Sequence, residues 1–387
     1  MTVCDGDPPL FDLTSNGTKA FLQQLANFQD SYSAVHRWLC VMICMLGIVL
    51  NTAHIFVLSR KQMRIFAINS ILCVMAVCDV VTMISYLIYI VRFKILDNDA
   101  HQMGYPYIWL IFLMYHVVAS IALHTVSLYL SVIMAYIRWT ALDRLDSKWV
   151  RSRSVGHIFF FTCLVVAAVS IPTLMVHRIV PVKEVLPPDF GYNYSLDGLY
   201  TVTLDEQVLA HGCLLFKINL WITGICFKAF PCFLLFWFTC ALIHKLCEMS
   251  EKRRRLRGTD PPSGSVEWST MNAYSTINNA RKKKLAVDKT TVMLIIMLTV
   301  FLCTELPQGL LVILNAIYTT HVHYYVYLNL GEVLDLLSLV NCNVGFVLYC
   351  FMSSRYRATF RAVFLTPLTR PANSNTYTLH SFKALIT

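Results

Sequence analysis

Long apolar stretches alternate with short polar ones along the chain, and their lengths fix the first reading. Roughly Trp38–Leu58, Phe66–Val91, Tyr107–Ile137, Val155–Val176, Leu214–Ile243 and Thr290–Tyr318 are free or nearly free of charge. Each reaches the ~20 residues that a helix needs to cross ~30 Å of hydrocarbon. A seventh stretch, Tyr324–Met352, does the same while carrying Glu332 and Asp335. Backbone in lipid must satisfy its own polar groups, so these runs predict an all-α membrane protein, a bundle of seven transmembrane helices. Between the fourth and fifth runs the period changes. Tyr200-Thr201-Val202-Thr203-Leu204 alternates as a strand does, and Ile179-Val180-Pro181-Val182 is its partner across a turn region at Gly191 and Asn193, which predicts a β-hairpin lid. Past Met352, Tyr356, Phe360, Val363 and Phe364 recur at helical spacing opposite arginines, predicting an amphipathic eighth helix over 353–365 on the membrane surface.

Four further segments complete the expected organisation. Residues 1–36 are polar and too short for a folded ectodomain, the bundle covers 37–352, and the tail 366–387 is rich in Ser, Thr and Asn and open to phosphorylation. The loop 248–288 joins two basic clusters through a Pro/Gly/Ser/Asn-rich middle and is expected to be disordered. The first 30 residues lack a basic region followed by an apolar one, so the first span is expected to serve as an uncleaved signal.

Composition agrees with this picture. The chain of 387 residues is 57% hydrophobic and 14% charged, with mean hydropathy +0.57, outside the range of a soluble globular domain. Most of the 32 Lys and Arg fall in the loops after spans one, three and five and in the tail. The positive-inside rule makes that side cytoplasmic, with the amino terminus extracellular and the carboxyl terminus cytoplasmic. Asp5, Asp7, Asp12, Asp30, Asp97, Asp99, Glu184, Asp189, Asp197, Asp205 and Glu206 lie on the other side. The net charge of +10 is therefore a topological asymmetry and does not indicate nucleic-acid binding. Asn16-Gly17-Thr18 and Asn193-Tyr194-Ser195 are glycosylation sequons on the expected outer side, making Asn16 and Asn193 candidates. Of the 14 Cys, Cys4 and Cys213 are the clearer extracellular ones, and the sequence leaves their pairing open.

The chemistry gathers around Glu305, beside Pro307 in the sixth run. A mid-bilayer acid costs about 2.5–3.5 kcal/mol on insertion scales, so it faces the bundle interior or a watered cavity. Pro307 removes a backbone donor and kinks the helix. Counting from the cytoplasmic helix ends puts His124, Glu305 and Asp335 about 20 Å in and near one level, which suggests one cavity. Glu332 shares a face with Asp335; Ser120 and His116 lie on the helix of His124; Gln308 is a turn from Glu305; Tyr86 and Tyr89 share a face near the outer end of span two. These are the candidate ligand-binding residues. The blander alternatives are a histidine satisfied by a carbonyl and tyrosines in an interfacial belt. Walker, nucleophile-elbow and metal-spaced His/Cys motifs are not found, so no enzyme activity is expected and no cofactor is implied.

Asn51, Asp79, Arg138, Pro231, Pro307 and Tyr349, in spans one, two, three, five, six and seven, together resemble the rhodopsin-like G-protein-coupled receptors over roughly Arg37–Leu365. His124-Thr125, Thr304-Glu305-Leu306-Pro307-Gln308-Gly309, Leu330-Gly331-Glu332 and Leu334-Asp335 resemble the myosuppressin-receptor-like group of FMRFamide-type peptide receptors, which overlaps nematode serpentine receptor class W. The resemblance implies an extracellular peptide agonist, a heterotrimeric G protein, and arrestin and kinase at the tail, in a plasma-membrane protein among lipids. It gives Arg138, Pro307 and Tyr349 activation roles, and it matches Asp79, Ser127 and Asn341 to ligands of an allosteric sodium ion. The chain departs from the family pattern in several places. Ile137-Arg138-Trp139 stands where the family has an acid, Arg and Tyr; Gly345 to Tyr349 replaces Asn-Pro-x-x-Tyr; span three has no outer Cys; span four has no Trp; Glu305 occupies the place of the toggle Trp. An amidated Arg-Phe peptide would pair its guanidinium with Glu305 or Asp335. The alternatives are a chemosensory receptor for a small molecule on the same fold and a proton-coupled transporter with Glu305, Asp335 and His124 as a relay. No internal repeat supports the transporter.

Overall fold

The computed structural model describes residues 4, 7–96, 104–141, 155–185, 197–257 and 270–365. Among them, seven helices are long and apolar enough to cross a membrane: Asn16–Leu58, Ala67–Ile95, Tyr107–Ala141, Val155–Met175, Ala210–Met249, Leu294–Ile317 and Thr319–Phe351, here spans one to seven. Large apolar side chains face outward along them, Val49 and Phe56 on span one and Phe160 and Phe161 on span four among them. That outward apolarity is what lipid requires. The inward core runs through Leu128, Met134, Leu235, Met297 and Leu298.

Two strands, β1 (His177–Pro181) and β2 (Tyr200–Leu204), pair antiparallel with Ile179 opposite Val202. The turn region with Gly191 and the sequon at Asn193 lie outside the described residues. Span three has no outer cysteine to hold this hairpin, and backbone does the work instead. Tyr105 and Tyr200 exchange two N–H···O bonds of 2.9 Å just ahead of span three. Gly104 makes the approach feasible, because a Cβ there would lie 2.8 Å from the Tyr200 carbonyl oxygen and 2.5 Å from Val182 Cγ2. Gly104→Ala is therefore expected to cost about 1–3 kcal/mol locally, and hydrogen exchange at the Tyr105 and Tyr200 amides should quicken while the spans keep their protection.

Span one starts at Asn16, far ahead of Trp38, so most of the expected polar amino-terminal segment is helical. Its inward stripe of Leu22, Leu25, Gln29, Tyr32 and His36 continues the helical period beyond the purely apolar run. Asn16 is exposed at the helix start. On the opposite side of the bundle, the helices of spans five and six continue to Arg257 and from Thr270, so helix occupies much of the loop expected to be disordered. Its middle, 258–269, and the tail, 366–387, lie outside the described residues. The eighth helix, Ser354–Phe360, is capped by Ser353 Oγ, which accepts from Tyr356 N–H at 3.2 Å, and continues as a π-helical turn over Arg361–Leu365. Tyr356 is fully buried against span one, with its hydroxyl 2.9 Å from His54 Nδ1.

Span five is broken at its hairpin end, where His211 and Cys213 take φ of 53° and 60°. Both values are unusual for L-residues. The break is also where Cys213 forms a disulfide with Cys4, answering the pairing that the sequence leaves open. The strap that follows Cys4 lies over spans five and seven. Asp7 accepts from Thr320 N and Oγ1 at 2.8 Å and pairs with Lys217 Nζ at 2.5 Å, and Phe11 stacks on His321. Burial alone would raise the Asp7 carboxyl pKa, but Lys217 and Thr320 outweigh it and hold the pKa below the ordinary value. A depressed carboxyl stabilises above its unfolded pKa, and that stabilisation is lost as pH falls through the folded one. Acidification below the usual carboxylate range should thus loosen the strap in wild type but change little in Asp7→Asn, as read by protease sensitivity ahead of span one.

Candidate ligand and switch site

Glu305 is fully buried, and four spans meet at its carboxylate. Oε2 accepts from Lys228 Nζ of span five at 2.6 Å. Oε1 is hydrogen-bonded to His124 Nε2 of span three and accepts, at 3.4 Å, from Asn341 Nδ2 of span seven. Lys228 also donates to Gln308 Oε1 at 2.9 Å, and Gln308 Nε2 donates to Ser338 Oγ at 2.9 Å. Two local features bring Lys228 here. It sits in a π-helical segment, Thr223–Ala229, whose wider turn re-aims side chains. Gly309 and Gly224 allow spans five and six to approach closely: a Cβ at Gly309 would lie 3.3 Å from Lys228 Cβ, and one at Gly224 3.3 Å from Val312 Cγ1. Pro307 itself faces outward. Lys228 is not among the candidates that the sequence offers, although a lysine near the middle of an apolar run, deeper than Lys217, is a visible signal.

Asp335 belongs to a second cluster nearer the hairpin. Tyr86 Oη donates to its Oδ2 at 3.2 Å and lies 3.1 Å from His36 Nε2. Glu332, a turn further out, accepts from Lys94 Nζ at 2.9 Å and Ser33 Oγ at 3.2 Å. His116 is buried between Tyr89, stacked at 5.1 Å, and Phe112, stacked at 5.7 Å. Asp335 shares its helix face with buried Glu332, Leu339 and Cys342, yet it is exposed, so it opens onto the space between the spans and away from lipid. Ser120 is half-buried on span three between His116 and His124.

The expected single level of three ionisable groups thus divides into two tiers. Glu305 is level with Asn341, about 9 Å further along span seven than Asp335 at ~1.5 Å per residue. His124 and Glu305 share a level as the count from helix ends expects, and Asp335 alone lies further out.

Below Glu305 lies a cavity of ≈ 10 Å³ lined by Asn51, His54, Asp79 and Asn341, among others. That is room for about one water or ion. Asn341 Oδ1 there, and Ser127 Oγ, are buried without hydrogen-bond partners. Oxygen donors with unused lone pairs beside a carboxylate fit a small hard cation. Closer to the eighth helix, Tyr349 Oη donates to Asn69 Oδ1 at 3.4 Å, and Arg138 is half-buried with no hydrogen-bond partner for its Nε.

Two comparisons bear on this arrangement. Residues 38–367 match the family model described as "Serpentine type 7TM GPCR chemoreceptor Srw". The chain is also 31% identical over 366 residues to a Caenorhabditis elegans protein named "G-protein coupled receptor dmsr-1", covering 90% of this chain and 71% of that one.

Proposed function

Because the chain belongs to the Srw family of serpentine seven-transmembrane G-protein-coupled receptors, we propose that it is a plasma-membrane receptor for an extracellular amidated Arg-Phe-type peptide. One observation carries the reading: Asp335 is an accessible acid on the inward face of span seven, hydrogen-bonded to Tyr86, on which Tyr89 and His116 pack. A guanidinium fits a carboxylate bidentately and stacks on aromatic faces. Glu305 is a poorer receiver, since both of its oxygens are engaged. Its role in this reading is a switch that ties span six to spans three, five and seven.

An agonist shifts the balance only by binding the active arrangement better than the resting one. Ligand contact at Asp335 and Glu332 moves span seven, with Asn341, Ser338 and Gln308 carrying the change to Glu305 and Lys228. Span six then swings about Pro307 and opens the end near Arg138 and Tyr349 to a heterotrimeric G protein. The charge asymmetry supports a cytoplasmic position for that end, with arrestin and kinase acting at the tail. Asp79 and Asn341, with Ser127 as a third ligand, would hold a sodium ion, which would favour the resting arrangement. The test is ligand-dependent nucleotide exchange by the full chain co-expressed with promiscuous G proteins, challenged with amidated Arg-Phe peptides and small amines. Exchange driven by the peptides supports the reading. A response to small amines alone moves the same Asp335 to a chemosensory receptor, the class that the family description names.

A further inference from the structure

Under the hairpin, a cavity of ≈ 200 Å³ lies between spans three and four and β2, lined by Leu113, Met114, Val117, Leu174 and Val202, with His177 at its rim. The helical period says which way it opens. Ile108 and Tyr115, 67% and 63% exposed, mark the lipid face of span three. Leu113 and Val117 lie on the opposite side, on the stripe that carries His124, while Met114 and Val118 turn toward span four. Val117 is exposed there, so this wall of the cavity reaches the mouth of the bundle. Its walls are almost wholly aliphatic, and an apolar cavity of about 150 Å³ stays dry and takes benzene.

We infer that this cavity is the seat of one aromatic side chain of the ligand, a site separate from the Tyr86, Tyr89 and His116 frame. The inference rests on the peptide reading above and adds where its ring goes. The acid and the cavity flank span three on two sides, because Tyr86 of span two holds Asp335 and packs on His116 of span three, while Leu174 lies on span four. Successive side chains of an extended peptide point in opposite directions. Adjacent Arg and Phe residues at the end of an extended ligand can therefore enter the two places at once, with the cation at Asp335 and the ring beneath β2.

The test fills the hole. Val117→Phe occupies the cavity with a ring of the chain's own, and exposed Val117 is outside both polar clusters. Potency of an Arg-Phe amide should fall on the order of 10- to 100-fold, and an analogue with Ala in place of Phe should lose the same factor on wild type but nothing more on Val117→Phe. An unchanged Phe-to-Ala ratio in the variant overturns the inference while leaving the peptide reading intact. A second measurement stands apart from signalling. Saturation-transfer NMR with N-acetyl-phenylalaninamide, on the purified full chain in lipid nanodiscs, should show ring contact in wild type that is lost in Val117→Phe. Ring contact equal in both proteins overturns the inference, whatever the signalling assays give.

Discussion

Glu305→Ala is expected to be among the most damaging single substitutions in the bundle. It removes the carboxylate that neutralises Lys228 and leaves an ammonium that is 9% exposed with Gln308 as its remaining polar partner. Breaking a buried ion pair from one side costs about 3–5 kcal/mol. Surface expression and the half-inactivation temperature of the solubilised receptor should both fall. Lys228→Met should do less harm, because His124 and Asn341 still bond Oε1. The informative variant is Glu305→Leu with Lys228→Met. Replacing a whole buried pair by apolar groups is often neutral or stabilising, so this double variant should recover most of the lost stability. It should also raise signalling without agonist, since the tie between spans five and six is gone. A double variant as unstable as Glu305→Ala, with silent basal signalling, would mean that the carboxylate is held for a reason other than its pairing with Lys228.

The second large effect is on the ligand. Asp335→Asn is expected to reduce agonist potency about 10- to 100-fold, the equivalent of about 1.5–3 kcal/mol for hydrogen bonds to a charged group. The maximal response should change little. Asp335 is exposed, so neutralising it strands no buried counter-charge, and the receptor should reach the surface normally. Glu305→Gln should behave in the opposite way: modest change in potency, clear change in basal or maximal signalling. The contrast follows from the two tiers. One acid is open to the mouth, and the other is enclosed by Lys228, His124 and Asn341.

Much of this fold is written in the hydropathy pattern. Seven apolar runs of membrane length can hardly become anything but helices, and the alternation of Tyr200 to Leu204 marks the one paired sheet among the described residues. The acids announce themselves too, because a carboxylate in such a run needs a reason. Their partners are harder to read. Lys228 meets Glu305 across 77 positions of sequence, through a π-helical segment that no simple periodicity predicts. The separation of Asp335 from Glu305 depends on how deep each helix sits, and residue counts from loop charges do not measure that. The helix ahead of Trp38 was legible in the spacing of Leu22, Leu25, Tyr32 and His36, but its polar composition hid it beside the apolar run that follows. Cys4 and Cys213 could be placed on one side of the membrane by charge. Their union needed the break at His211 to Cys213, where the backbone turns out of its helix.

The division of labour between the acids is tested most directly by a cycle of receptor and ligand substitutions. An amidated Arg-Phe peptide and its citrulline analogue, which keeps the shape of arginine without its charge, would be compared by concentration-response on wild type, Asp335→Asn and Glu305→Gln. The account predicts that citrulline costs at least tenfold on wild type and on Glu305→Gln, and almost nothing on Asp335→Asn. If the citrulline penalty instead survives in Asp335→Asn and disappears in Glu305→Gln, the buried acid receives the cation and Asp335 does not.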